Sequence, residues 1–287
     1  MVAFEVPEVD YTQYSNRQLV AIPLVVLALA LAVIAGWWVL TGAPAAMGID
    51  FTGGSEITIQ TSLSQAEIRA SFDEPVVSVQ GVAGENEQYI VTFESSEMGA
   101  IRQTAINNEQ MELRGSGSVS PVFGGQNQQM AVIGMVIAFV GMSLLAFAFF
   151  RTFVPSIAIV LSAFSDIMIP VALMNLLGIK LSLGTVAALL MLIGYSVDSD
   201  ILLNNHVLRR SGGFYESTYR AMRTGVTMTL TSIAAMAVMA VAATLFGIEL
   251  MASIGLVLVI GLSADLMNTY MLNVTLLRWY KYEGINR

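Results

Sequence analysis

The chain has 287 residues, 55% of them hydrophobic and 12% charged, with a mean hydropathy of +0.70, which excludes a soluble domain of this size. The absence of cysteine excludes disulfides and thiolate metal sites, and a single histidine excludes a His-rich metal centre, so neither metal nor cofactor is expected. A net charge of −8 makes the chain a poor partner for nucleic acid or anionic lipid.

A helix crosses a bilayer core with roughly 20 apolar residues, and six runs of that kind occur. Residues 1–18 precede the first, at 19–41. Ala43-Pro44-Ala45 behind it looks like a cleavage site, but the apolar core from Leu19 to Leu40 exceeds a signal peptide's roughly 7–15 residues, and Glu5, Glu8 and Asp10 precede it against Arg17 alone. The run is therefore expected to be a retained anchor. Residues 43–126 follow, with eleven acidic side chains against Arg69, Arg102 and Arg114. SEITIQTSL alternates as a strand, and SQAEIRASF opens with Ser64 and Glu67 at capping-box spacing. VVSVQGV and YIVTFE read as strands, MGAIRQTAINN as a helix and MELRGSGSVSP as a last strand. The order β-α-β-β-α-β predicts a small α+β, ferredoxin-like domain.

Five further spans are expected within 129–277, at 129–150, 153–177, 181–203, 226–247 and 250–277. Arg151-Thr152, Gly178 to Lys180 and Gly247 to Glu249 are connections short enough to make their flanking helices antiparallel neighbours. A loop is expected at 204–225, whose RRSGGFYESTYRAMRTG portion suits an interfacial helix, and a tail at 278–287. The fold class is thus an α-helical polytopic membrane protein with one α+β domain. Nine of the thirteen basic residues (Arg17, Arg151, Arg209, Arg210, Arg220, Arg223, Arg278, Lys281 and Arg287) fall on the side of the termini. The positive-inside rule then places both termini in the cytoplasm, in a plasma membrane, and 43–126 outside.

Four carboxylates fall within the spans: Asp166 in the third, Asp198 and Asp200 in the fourth, Asp265 in the sixth. Each costs about 2.5–3.5 kcal/mol at a helix centre, so none should face lipid. No Lys or Arg lies mid-span to neutralise them. They need a proton, a cation, hydrogen bonds, or a basic group from another subunit. Ser162, Ser165 and Asn175 are placed to serve Asp166 as packing hydrogen bonds. Asp198 and Asp200 point about 200° apart around one helix. Tyr195, Asp198 and Asn205 follow one stripe, Ser196, Asp200 and Asn204 another, so one stripe should meet this chain's own helices and the other something else. His206 is expected at the cytoplasmic boundary, solvated or interfacial. Asp265, Asn268 and Thr269 share a face. Gly134 with Ala138, Gly184 with Ala188 and Thr231 with Ala235 offer close helix approach.

MGIDFTGGSEITI at residues 47–59, directly behind the first span, resembles the signature of the SecD/SecF family, carried by Gly48, Asp50, Phe51, Gly53 and Gly54. GYSVDSD, from Gly194, resembles the family's fourth-span motif, and GLSADLMNTYMLNVTLLRWY in the sixth span is similar to archaeal members. The layout of one span, a domain and five spans agrees. The resemblance implies an accessory subunit of the Sec protein-export machinery, in the RND superfamily, that pairs with a SecD-like subunit, associates with the SecY channel and acts on translocating preproteins. Proton flow through polar residues between the two halves is the implied drive. One departure is visible: the bacterial pattern GYSxND puts its aspartate where this chain has Ser199, between Asp198 and Asp200, and the bacterial Asp-Arg pair falls on Asn205 and His206.

Two other functions fit parts of the pattern. Half of a proton-coupled small-molecule exporter of the same superfamily would call for a larger external domain than 43–126. An intramembrane aspartyl enzyme would need paired aspartates, yet Asp198 and Asp200 diverge and no GxGD-type pair lies on adjacent spans. A transport accessory rather than an enzyme is therefore expected.

Overall fold

The computed structural model describes residues 10–82, 87–209, 212–246 and 248–284. Six helices among them are long and apolar enough to cross a membrane, and the chain is a multi-pass membrane protein. The first is α1, Asn16–Thr41. It starts where Ser15 accepts the Gln18 amide and the Gln18 side chain accepts that of Ser15, and stops at Gly42 with φ +77°. After the short α2 (Ile49–Thr52) come β1 (Gly54–Gln60), α3 (Gln65–Ala70), β2 (Val76–Gly81), β3 (Gln88–Phe93), α4 (Met98–Asn107) and β4 (Glu112–Val119). All strand pairs are antiparallel, in the order β2-β3-β1-β4, as expected of a ferredoxin-like domain. Side chains alternate across a strand. Ile57 and Ile59 therefore share a face with Val91 and Phe93, and Ile68 of α3 with Ile101 and Ala105 of α4 closes over it. Each such aliphatic or aromatic side chain contributes about 1.5–3 kcal/mol by leaving water.

The second span, α5 (Pro121–Phe150), begins well before the apolar run at 129. Pro121 sets the helical φ after the extended Ser120. The polar first turns, GGQNQQ, gave no hydropathy signal because they serve the domain rather than the bilayer. α6 (Phe153–Leu177) and α7 (Leu183–Arg209) follow, then α8 (Phe214–Leu245). The stretch expected as a loop at 204–225 is a correction: α7 continues to Arg209, and Phe214 to Gly225 are the first turns of α8 rather than a separate interfacial helix. The apolar side of these turns is covered by protein, with Phe214, Ala221, Met222 and Val226 packed on Leu203, Val207, Tyr270, Val274 and Leu277. The sixth span comprises α9 (Glu249–Met267), a π-helical segment at Asn268–Asn273 and α10 (Val274–Trp279).

Within the apolar windows of the spans, 61% of the α6 residues and 50% of the α7 residues are buried, against 22% for α1, 11% for α5 and 17% for α8. α6 and α7 therefore form the centre with α9, and the other three carry wide apolar faces outward. The α+β domain sits over one end of this bundle. A cleft of 620 Å³ separates the sheet from the ends of α6, α8 and α9.

Candidate functional site

The polar residues of α7 divide as their spacing requires. Ser196, Asp200 and Asn204 are buried, as is Ser199. Asp198 is exposed, and Tyr195 and Asn205 are half-buried beside it. One stripe meets this chain's own helices and the other looks out of the bundle.

The inward stripe completes a polar core between α6, α7 and the sixth span. Asp166, Asp200 and Asp265 are each at most 2% exposed. Ser196 Oγ donates to Asp166 Oδ2 at 2.6 Å, and Asn268 Nδ2 donates to Asp166 Oδ1 at 2.6 Å. Asn273 Nδ2 donates to Asp200 Oδ1 at 2.7 Å. Ser199 Oγ stands 2.9 and 3.1 Å from the two oxygens of Asp265. Thr269 Oγ1 lies between two carboxylates, 3.0 Å from Asp200 and 3.3 Å from Asp265, with one hydrogen to give. Among the described residues no basic side chain pairs with any of the three. The amide oxygens of Asn204, Asn268 and Asn273 are buried acceptors without a protein donor. A cluster rich in acceptors and poor in positive charge, in a low dielectric, has to share a proton or another positive partner. That is the chemistry the arrangement offers.

The π-helical segment is what brings three of these donors to one place. Asn268, Thr269 and Asn273 lie within it and are fully buried. An α-helix would turn residue 273 about 500° from 268, whereas the wider turn changes that phase. π segments of this kind recur at functional sites.

The glycine-rich stretch behind α1 forms a joint between domain and bundle. Gly48 N–H donates to Leu181 O at 2.8 Å and Leu181 N–H to Ala46 O at 2.6 Å, splicing the stretch onto the α6–α7 connection. Asp50 Oδ2 accepts the Leu183 amide at 2.9 Å at the start of α7, and the Asp50 carbonyl accepts Asn127 of α5 at 3.0 Å. Phe51 is buried. Gly53 has φ +73°, and a Cβ there would lie 2.5 Å from Pro121 Cα. Gly54, at φ +107°, passes as close to the Phe93 carbonyl. Lys180 adds an ion pair to Glu56 of β1 at 2.7 Å and a bond to Thr92 of β3 at 2.6 Å.

Several sequence-based assignments change. Asp166 is served by Ser196 and Asn268. Ser162 and Ser165 make no such bond, and Asn175 instead holds Pro44 O and Ala46 N–H at 2.9 and 3.1 Å. Partners on one's own helix are visible in sequence, whereas those on the next helix are not. His206 is 6% exposed, its Nδ1 2.9 Å from Leu202 O, because the extended α8 covers the end of α7. Gly184 does admit Leu250 and Ile254 closely, but Gly134 meets nothing within 4 Å and Thr231 and Ala235 are exposed. Gly194 likewise faces outward. Sequence reasoning missed Asn273 and Ser199 as carboxylate donors. Their signal was position: Asn273 lies four residues from Thr269 and Ser199 three from Ser196, both already singled out.

Residues 100–283 match the family model described as protein export membrane protein SecD/SecF, C-terminal, and residues 38–62 match the SecD/SecF GG motif. The chain is 67% identical to a protein-export membrane protein SecF of Haloferax volcanii over all of both chains, and 37% identical to one of Pyrococcus furiosus, covering 97% of this chain and 99% of that one. A crystal structure of SecDF, a translocon-associated membrane protein from Thermus thermophilus, superposes with a TM-score of 0.75 at 22% identity over 98% of this chain. The chain spans 39% of that SecDF chain's length.

Proposed function

This chain belongs to the SecD/SecF family of protein-export membrane proteins, and from that premise we propose that it is the SecF-like accessory subunit that pairs with a SecD-like subunit and promotes export through the Sec channel. The SecDF neighbour supports the pairing, since a chain of this fold there occupies about two-fifths of a longer one. The outward Asp198, on a face that lipid would penalise, supports it independently. The subunit stands with both termini in the cytoplasm and its α+β domain outside, where it acts with the SecY channel on emerging preproteins. The distribution of nine basic residues against four carries that orientation.

The buried cluster of Asp166, Asp200 and Asp265 is the proton-responsive element of this half. The observation that carries the reading is three carboxylates joined across three helices by hydroxyls and amides, with no basic partner among the described residues. Changing the charge of any one changes the donors it can hold, and those donors sit on a different helix, so proton gain and loss is tied to helix position. The joint at Gly48 to Gly54 passes that movement to the domain. The test is Asp200→Asn in the assembled complex. Export driven by a proton gradient is expected to fall at least tenfold while the complex with the SecD-like subunit still forms. Loss of assembly in parallel with export would reduce the cluster to packing, and full export would remove it from the mechanism.

A further inference from the structure

Residues 10–14 lie at the end of the bundle away from the α+β domain, ahead of the first span. Asp10 shapes them into a tight turn, its carboxylate accepting the Thr12 amide at 2.9 Å and the Gln13 side chain at 3.0 Å. That turn aims Tyr11 into the bundle, where it is 5% exposed. Its hydroxyl donates to the main-chain carbonyl of Tyr270 at 3.0 Å and lies 3.7 Å from the Met222 sulfur. Arg278, two turns beyond Tyr270, reaches back with one guanidinium nitrogen to the carbonyls of Tyr11 and Tyr14, at 2.9 and 3.0 Å. The segment before the first span is therefore fastened to the sixth at two points, and the first of them falls inside the π-helical stretch.

A π turn bonds each carbonyl to the amide five residues on rather than four, and where it passes back into the α register the shift leaves room for a carbonyl to take a donor from outside the ladder. Tyr11 is such a donor for Tyr270 O. On the opposite side, the Tyr270 ring fits over Gly225 of α8 so closely that a Cβ at 225 would overlap its hydroxyl. Tyr270 is thus clamped through its carbonyl by the N-terminal turn and through its side chain by α8. It stands one residue from Thr269 and three from Asn273, the residues that hold Asp200.

We infer that Tyr11 is a positioning residue for the intramembrane carboxylate cluster: by holding the Tyr270 carbonyl it keeps the sixth span in the π-helical register that presents Asn268, Thr269 and Asn273 to Asp166 and Asp200. The inference rests on the reading of that cluster as functional only for its consequence, not for its geometry. Loss of the hydroxyl lets the segment relax toward the α register, which rotates Asn273 away from Asp200. The N-terminal turn thereby becomes a handle on the cluster from the far end of the bundle.

The test is hydrogen exchange on the full chain, assembled with its SecD-like partner in lipid discs, comparing Tyr11→Phe with the parent. Removing one buried hydrogen bond is expected to speed exchange of the amides at 268–275 by about tenfold, with α1, α6 and the α+β domain unchanged. Arg278→Gln, which releases the same turn by its other fastening, is expected to give the same local pattern. The pH profile of carbodiimide labelling at Asp200 is expected to shift in both variants, a change that mere loosening elsewhere would not produce. Unchanged exchange at 268–275, or an equal rise along the whole span, overturns the inference. If exchange rises as expected and export is undiminished, the positioning stands and the functional reading of the cluster fails.

Discussion

Single residues decide how closely the parts of this molecule approach. Gly53 combines a left-handed φ of +73° with a position where a Cβ would fall 2.5 Å from the Pro121 backbone. Gly53→Ala therefore carries both backbone strain and overlap, costs of about 1–3 kcal/mol each. A lowered thermal midpoint of the assembled complex is expected, while Gly99→Ala, whose new methyl would meet nothing within 4 Å, leaves it unchanged. Equal midpoints for the two variants would show that the joint yields. Gly48, Gly53 and Gly54 were legible as a motif, but the reason for them was not, because their neighbours Leu181, Pro121 and Phe93 lie 39 to 133 positions away. The same limit explains Asp166. Its partners Ser196 and Asn268 could be named only after α6, α7 and the sixth span were set side by side.

Among elements, the join between sheet and bundle rests on a short list of polar contacts. Lys180 and Glu56 expose 15% and 24% of their side chains. Removing either partner strands the other in a half-buried place. In a double-mutant cycle of Lys180→Met and Glu56→Gln, a coupling of about 1–3 kcal/mol in complex stability is expected. Strict additivity would mean that the Gly48–Leu181 splice and the Asp50 and Asn175 contacts, rather than this ion pair, hold the joint. Lys180 reads in the sequence only as one of four basic residues outside the cytoplasmic set, and nothing in its neighbourhood forecasts a tie to β1. The elements themselves were far more readable. The alternation of Ile57 and Ile59, and of Val91 and Phe93, and the capping box at Ser64 each reflect contacts local enough to leave a pattern. The π-helical segment left none, since NTYMLN is unremarkable helical sequence and its width depends on Tyr11, Gly225 and the carboxylates around it.

For the molecule as a whole, two buried helices form the centre and three largely unburied ones turn wide apolar faces outward, as lipid requires. Asp198 adds a charged group on that outer surface, which lipid penalises by about 2.5–3.5 kcal/mol at mid-membrane. The chain purified alone is expected to form heterogeneous aggregates on size exclusion, and co-expression with a SecD-like subunit to give one species of fixed stoichiometry. A stable, monodisperse single chain would count against a mate on that face. The six-span plan and the division of α7 into two stripes were visible from hydropathy and helical spacing. The donors that cover Asp200 have a consequence for how the polypeptide is made. Thr269 and Asn273 leave the ribosome roughly sixty residues after α7 is finished, several seconds at about 5–20 residues per second. During that interval Asp200 lacks the two donors that the last span brings it. It has to wait beside water or the insertion apparatus until the last helix arrives, so release into the bilayer follows the order of chemical need rather than the order of synthesis.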